Sequence, residues 1–169
     1  ANAAAAWLEN FTLPDGTTTD AGPPTAWTRT VSAGVAAQVT GNQFQVTGVA
    51  GGSMTWTSQV IDISSAYGGV TLSALLSETS TLEAGDNITI RYSLDGAAQI
   101  TFPTNGSFSN DIGGGGSATA STGTLTGSTI QIFCTVTFDA SDAGEQYRLD
   151  NVTVTANASA RWASEVINI

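Results

Sequence analysis

The side chains that could carry chemistry in this chain are almost all carboxylates. The sequence has fourteen Asp and Glu against four cations, no His and a single Cys, and all four cations are arginines. General acid–base and nucleophilic catalysis at neutral pH rely mainly on His, Lys and Cys. The chemistry that remains is glycoside hydrolysis by paired carboxylates, or the binding of a hard cation by carboxylate oxygens.

The spacing of these groups does not favour catalysis. The carboxylates are scattered, and nothing in the sequence ties two of them to one cleft. The Ser and Thr hydroxyls have no His or Lys to act as a base. Cys134 lies in an apolar, strand-like run over residues 130–136, and we expect it to be a small core residue. The sequence therefore predicts that the protein is not an enzyme.

Charge and composition exclude further classes of protein. A net charge of −10 and a pI near 4.1 disfavour nucleic acid and anionic membranes as partners. The sequence has no run of about 18 apolar residues, so no membrane span is predicted. Charged residues make up only 11%, and the polar positions are filled by Thr, Ser, Gly and Asn, which is typical of β-rich extracellular domains. We expect an extracellular protein, either secreted or held at the cell surface.

Alternation of apolar and polar residues runs through most of the chain, and no amphipathic helix is visible. It predicts an all-β fold: a two-sheet antiparallel β-sandwich of the jelly-roll type with an extra C-terminal strand-like tail. Residues 7–156 are expected to form the sandwich, after an N-terminal extension over residues 1–6. The predicted strands are residues 7–13, 26–31, 35–40, 44–46, 54–63, 70–77, 88–94, 98–102, 129–138 and 148–155.

Residues 157–169 form the tail, and residues 161–169 have the alternation of a further strand. Such a strand can add to the open sheet edge of a neighbouring molecule. Alternatively, it can fold back as an edge strand of its own domain. The first arrangement would build an open-ended homo-polymer. The side chains expected at that subunit contact are Trp162, Val166, Ile167 and Ile169.

Two aromatic residues are candidates for ligand binding, because glycan sites need exposed aromatic planes beside hydrogen-bonding side chains. Trp27 follows a Pro-rich loop, and Tyr67 precedes two glycines. Packing in the core is the alternative for each of them. Trp56 lies within a predicted strand, and we expect it in the core.

Several stretches taken together resemble one family. They are residues 9–11, 15–17, 26–29, 56–64, 90–96, 106–108 and 149–154. They include Tyr-Ser-Leu-Asp-Gly at a hairpin and Asp-Asn-Val in the last strand. The series resembles the lectin-like jelly-roll modules of large secreted bacterial surface proteins, a group that contains many carbohydrate-binding modules. The resemblance implies a non-catalytic, exported domain that is often stabilised by calcium.

The resemblance also implies a structural Ca²⁺ site, in which an acidic residue near the first strand and the Asp of the closing strand share the ion. Ca²⁺ takes about six to eight oxygen ligands, so further carboxylates or loop carbonyls would complete the shell. The candidate ligands are Glu9, Asp15, Asp20 and Asp150. The alternative is that Glu9 and Asp150 are surface residues or pair with Arg29 or Arg148. A second acidic group, Asp139, Asp142 and Glu145, is expected to form a solvated loop.

Two functions fit these features. The main prediction is a non-catalytic extracellular structural protein, the subunit of a surface filament or layer assembled through β-strand or tail contacts between neighbouring copies. The alternative is a carbohydrate-binding or adhesion module of a secreted protein, with a glycan as its partner. The strand-like tail favours the first function, and the jelly-roll resemblance favours the second.

Overall fold

The computed structural model describes residues 5–79, 84–112, 116–139 and 145–159. Regular structure in these ranges consists of β-strands, so nothing in them has the length and apolarity of a membrane-crossing helix. The strands, in chain order, are β1 (Ala5–Glu9), β2 (Trp27–Val31), β3 (Ala36–Thr40), β4 (Gln43–Thr47), β5 (Ser53–Ser58), β6 (Ile61–Asp62), β7 (Val70–Glu78), β8 (Asn87–Leu94), β9 (Ile100–Thr101), β10 (Ser107–Ser109), β11 (Ser117–Ser121), β12 (Thr129–Thr137) and β13 (Gln146–Ala156).

The strands form two antiparallel sheets. Sheet A has the order β11-β7-β13-β4-β3, and β1 also pairs with β13. Sheet B has the order β10-β8-β12-β5-β2, with β6 beside β12 and β9 beside β8. Most neighbours in each sheet come from distant parts of the chain, as expected for a sandwich with crossing connections, whereas β3 and β4 form a hairpin. The predicted all-β, two-sheet antiparallel sandwich is confirmed.

One edge of β13 is shared by two strands. Strand β4 pairs with residues 146–149, and β1 pairs with residues 152–155, while β7 runs along the opposite edge. In this register Ala5 lies opposite Thr155. Among the strands that the structure describes, the first and the last are therefore direct neighbours.

Aromatic side chains fill one part of the core between the sheets. Phe11, Trp27, Phe44 and Trp56 are all buried, and five pairs of their rings are in contact with centroids 5.1 to 6.3 Å apart. Such edge-to-face and tilted contacts stabilise a core beyond the burial of apolar area alone. Trp56 is thus a core residue, as predicted. Cys134 is fully buried as well, and burial raises the pKa of its thiol to about 12.

Some predicted strands are shorter in the structure. The strand predicted over residues 7–13 ends at Glu9, because Phe11 has a φ of 49°, in the left-handed region. The strand predicted over residues 54–63 is divided into β5 and the two-residue β6. Strands β10 and β11 lie in segments that were not predicted as strands.

The predicted boundaries near the two ends of the chain can be compared with the strands of the structure only in part. Strand β1 begins at Ala5, inside the segment predicted as an N-terminal extension, and β13 ends at Ala156, where the sandwich was predicted to end. Residues 160–169 lie outside the described part of the chain. This applies to all the predicted subunit-contact residues, Trp162, Val166, Ile167 and Ile169.

Candidate functional site

The outer face of sheet B carries an array of hydroxyl and amide side chains. On β5, β8 and β12 the even-numbered residues turn into the core, and the odd-numbered residues lie on the outer side, where Thr89 and Ser93 are nevertheless buried. The antiparallel register aligns these outward positions with each other and with those of β2. The outward residues are Thr28, Thr30, Ser53, Thr55, Thr57, Asn87, Thr89, Arg91, Ser93, Thr129, Gln131, Phe133, Thr135 and Thr137.

Phe133 is the one aromatic side chain among these outward positions. It lies opposite Thr57 on β5 and opposite Arg91 on β8. The side chain is partly buried, so part of its ring faces solvent. An accessible aromatic ring flanked by hydroxyl groups suits a sugar, whose ring has apolar C–H faces and polar edges.

Two adjoining hollows on this face together form what we call the sheet B groove. The first has a volume of about 360 Å³, and the second about 300 Å³. Gln131 lines both hollows, and its Nε2 donates to the Ser58 carbonyl at 2.9 Å, which fixes the side chain between them. The first hollow is also lined by Thr19, Asp20, Ala26, Trp27, Thr28, Thr57 and Gln59. The second is also lined by Val60, Ser93, Asp95 and Thr129. Phe133 lies two residues beyond Gln131 on the same face of β12.

Charge on this face is sparse. Arg91 is the one charged residue among the outward positions, and its Nη1 donates to the Thr135 hydroxyl at a distance of 3.4 Å. Two carboxylates lie in the groove, Asp20 in the first hollow and Asp95 in the second. The N–H groups of Thr129 and Ser128 lower the pKa of Asp95 and keep it ionised.

The expected exposure of Trp27 is wrong, but Trp27 does line the first hollow, so its role in binding stays a prediction. Trp27 is only 1% exposed. At the start of β2 it lies opposite Ser58, whose side chain is also buried, and its ring packs against Phe44 at 5.1 Å. Tyr67, in contrast, is 67% exposed. It lies in the loop between β6 and β7 and does not line either hollow, so its role in binding stays a prediction.

Glu9 is a buried carboxylate at the end of β1, only 3% exposed. Its Oε1 accepts a hydrogen bond from the N–H of Phe11, which supports the left-handed turn there. Its Oε2 is buried without a hydrogen-bond partner. Burial raises the pKa of Glu9 and the Asp20 carboxylate adds to that rise, whereas the Phe11 N–H and, more weakly, the side chains of Trp27 and Thr25 oppose it. The side chain is therefore held where its negative charge is costly.

The structure places the four predicted calcium ligands in different surroundings. Glu9 and Asp20 interact electrostatically, and the Thr25 hydroxyl bonds to Asp20 Oδ2 at 3.4 Å. Asp15 instead accepts a hydrogen bond from the N–H of Gly41 at 2.9 Å. Asp150 accepts one from the N–H of its neighbour Asn151 at 2.7 Å.

These contacts limit what could bind a cation. Within the described ranges, no group of three or more Asp, Glu, Cys or His side chains is arranged as a metal site. Of the predicted set, Glu9 and Asp20 fit an ion best, because the unpartnered Oε2 of Glu9 is the kind of oxygen that a hard cation takes. Carbonyls or the Thr25 hydroxyl would have to complete the shell. The Ca²⁺ site stays a prediction.

The free-energy cost of burying the ionised Glu9 carboxylate should appear as a difference between the wild type and Glu9→Gln in how stability depends on pH. The folded pKa of Glu9 lies above its ordinary value of 4.5, so the folded state holds the proton more tightly than the unfolded state. The stability contributed by the protonated group is fully present below pH 4.5 and is lost as the pH rises through the higher folded pKa. We expect Glu9→Gln to reduce that loss in thermal melts measured from pH 4 to 8 in chelator.

The same thermal melts, repeated with Ca²⁺ in place of chelator, test the predicted calcium site. If Glu9 holds an ion, Ca²⁺ should raise the melting temperature of the wild type near neutral pH and leave that of Glu9→Gln unchanged. Asp15→Asn, a change at an exposed member of the predicted set, should keep the wild-type response. Equal melting temperatures with and without chelator in the wild type would remove the calcium prediction.

The second acidic group is also placed differently from expectation. Glu145 is 2% exposed and is not part of a solvated surface, whereas Asp139 is exposed and Asp142 lies outside the described residues. Glu145 is one of four carboxylates near Tyr147, together with Glu78, Asp86 and Asp111. Burial raises the pKa of the Tyr147 hydroxyl, and these carboxylates raise it further.

Phe133 and Arg91 were not among the site residues predicted from the sequence, although a signal for Phe133 was present. In residues 130–136 the inward positions are Ile130, Ile132, Cys134 and Val136. Phe133 is therefore an aromatic residue at a polar position of an alternating strand, which marks it as outward-facing. Its cross-strand neighbour Arg91 depends on a pairing register that the sequence does not reveal.

Comparison with solved structures defines the class of fold. The carbohydrate-binding module TmCBM61, solved in complex with β-1,4-galactotriose, is similar with a TM-score of 0.52 and 14% identity, over 80% of this chain and 90% of that chain. A structure described as that of a CBM4 module is similar with a TM-score of 0.52 and 15% identity, over 88% of this chain and 97% of that chain. This chain thus has the jelly-roll β-sandwich fold of carbohydrate-binding modules, as the resemblance implied. No protein-family model and no curated protein matches the sequence.

Proposed function

We propose that this protein is a non-catalytic, extracellular carbohydrate-binding module whose glycan site is the sheet B groove together with Phe133. The observation that carries the proposal is the partly exposed ring of Phe133, set among hydroxyl side chains beside two hollows that share Gln131. The shared fold with carbohydrate-binding modules supports it at the level of architecture.

The chemistry of the groove suits a glycan chain. The apolar faces of a sugar can pack on the Phe133 ring, and its hydroxyls can exchange hydrogen bonds with Thr57, Gln59 and Gln131. Each hollow, at about 360 and 300 Å³, is within the lower range of ligand sites. Because the two hollows lie side by side across several strands, an extended oligosaccharide fits them better than a single sugar.

Binding without catalysis is the function that these side chains support. Hydrolysis of a glycoside needs two carboxylates on opposite sides of one bond. The carboxylates lining the groove are Asp20 and Asp95, and each belongs to a different hollow. The chain has no His that could replace either of them as an acid or base.

The predicted role as a filament subunit rests on residues 161–169, which lie outside the described part of the chain. It stays a prediction. Glycan binding takes its place as the main function, because the described residues supply a groove, an aromatic platform and hydrogen-bonding groups on one face.

Replacing Phe133 tests the proposed site. We expect Phe133→Ala to weaken binding to the best glycan ligand found on an array by about tenfold or more, as for other buried aromatic contacts at interfaces. The melting temperature should change little, because the side chain faces outward. Isothermal titration calorimetry would measure the affinity, with Phe133→Trp as a variant that keeps an aromatic plane.

Tyr67→Ala serves as the matched variant, because Tyr67 is an exposed aromatic residue outside the groove. Its affinity should equal that of the wild type. Loss of binding in Tyr67→Ala with full binding in Phe133→Ala would move the site to the β6–β7 loop. An array without any glycan bound by the wild-type protein would refute the proposed function itself.

A further inference from the structure

The charges on the binding face point to a narrower class of glycan. We infer that the sheet B groove takes a largely neutral glycan that carries isolated carboxylate groups, as uronic acid units do, and that Arg91 pairs with one of these carboxylates. This inference rests on the proposed function and specifies the ligand of the same site.

The first observation is that Arg91 has hydrogen-bonding capacity to spare. A guanidinium has five N–H donors in a planar fork. In the structure one of them donates to the Thr135 hydroxyl at 3.4 Å, and Arg91 forms no ion pair with any carboxylate of the described ranges. The Arg fork matches a carboxylate in a bidentate geometry, which makes a planar anion its preferred partner.

Arg91 is placed where a sugar bound at Phe133 could use these free N–H donors. It is the register partner of Phe133, so a sugar that packs on the Phe133 ring brings its substituents toward the guanidinium. No Asp or Glu is present among the outward residues of β2, β5, β8 and β12. Nothing at these positions therefore competes for the cation, in a chain whose net charge is −10.

The other described arginines are placed differently. Arg148 lies on sheet A, where its Nη1 and Nη2 donate to Gln43 and Gln146, both at 3.4 Å, and its Nε is buried. Arg29 lies opposite the buried Trp56, and its Nε is buried too. Arg91 is thus the described cation that shares a face with the groove.

The carboxylates of the protein set the limit on ligand charge. Asp20 lines one hollow and Asp95 lines the other, so both sides of the groove carry a carboxyl group. Like charges at short range cost free energy, and the acidic protein as a whole repels polyanions. A densely charged polyuronate would meet this repulsion along its length. A neutral chain with a carboxylate placed at Arg91 would gain the attraction and avoid most of the repulsion.

The experiment compares matched oligosaccharides. A panel of uronate-bearing oligosaccharides from plant and microbial polysaccharides is titrated beside carboxyl-reduced counterparts, which keep the same sugars and linkages without the charge. Polygalacturonate serves as the densely charged probe. We expect the best uronate-bearing ligand to bind the wild type about tenfold or more tightly than its reduced counterpart, the effect of a charge-assisted hydrogen bond.

Three variants separate the role of Arg91 from folding and from overall charge. Arg91→Gln should bind both members of the pair with the affinity that the wild type has for the reduced one. Arg91→Lys should recover part of the preference, because it keeps the charge but loses the fork. Arg148→Gln, which makes the same charge change on the opposite sheet, should retain the full preference. Melting curves would establish that all three variants are folded.

The outcomes distinguish this inference from the proposed function. If the wild type binds a reduced oligosaccharide as well as its charged partner, the groove is a glycan site without carboxylate recognition, and only the inference is overturned. Tighter binding of polygalacturonate or of a sulfated glycan would likewise overturn it. If no member of the panel and no glycan on an array binds, both the proposed function and the inference are wrong.

Discussion

Trp27→Ala is expected to destabilise the fold by about 3–5 kcal/mol, the cost of removing a large aromatic side chain from a packed core. Trp27 is 1% exposed, and its ring contacts Phe11, Phe44 and Trp56. The cavity left behind would open in the middle of that aromatic cluster, where the remaining rings are too stiff to fill it. For a domain of this size the melting temperature should fall by about 10 °C or more.

Chemical denaturation of the wild type, Trp27→Ala and Tyr67→Ala would measure this effect. Tyr67→Ala removes another large aromatic side chain, but one that is 67% exposed, and should change stability by no more than about 0.5 kcal/mol. A Trp27→Ala protein as stable as the wild type would show that Trp27 is not a core residue.

Gly69→Ala is expected to cost about 2–4 kcal/mol, the sum of a left-handed backbone and an overpacked contact. The φ of Gly69 is +74°, and a Cβ atom there would lie 2.5 Å from the carbonyl oxygen of Leu125. That oxygen cannot move freely, because it accepts the N–H of Val70 at 2.8 Å in a two-way bridge between these residues. The substitution would therefore disturb the entry into β7, the strand that pairs with β13.

Gly123→Ala is the matched control for this effect. Gly123 lies in the loop between β11 and β12, which also contains Leu125. It has no positive φ that would disfavour a side chain, and a Cβ atom there would meet no other atom within 4 Å. The stability of the Gly123→Ala variant should equal or slightly exceed that of the wild type, because Ala restricts the unfolded chain more than Gly does. Equal denaturation midpoints for Gly69→Ala and Gly123→Ala would contradict the proposed clash.

The long strands were predictable because each has one apolar and one polar face. In β12 and β7 the alternation is broken only at Phe133 and Leu75, so the sequence alone indicates both the strand and its buried side. Strand β11 reads Ser-Ala-Thr-Ala-Ser, and its small residues carry no such contrast. What makes it a strand is its pairing with β7, a contact between distant segments that one sequence does not specify.

The site was harder to predict than the fold. In β2 the inward positions hold Trp27 and Arg29, and the outward positions hold two threonines, so the alternation does not say which face is buried. The neighbouring Pro-rich loop suggested that Trp27 is exposed, but packing against other parts of the chain buries it. The row that joins Phe133 to Arg91 depends on the register of two strands separated by about 40 positions in the chain, and such registers follow from the whole sandwich.

The pairing of Ala5 with Thr155 has a mechanical consequence. The first and last strands of the described part of the chain run antiparallel, and their outer ends meet at one point. A pull on both ends would load the hydrogen bonds between β1 and β13 in sequence, from the outermost inward, and would not strain them all together. Tension would thus peel the first strand away at low force while the aromatic cluster and the groove on the other sheet kept their shape.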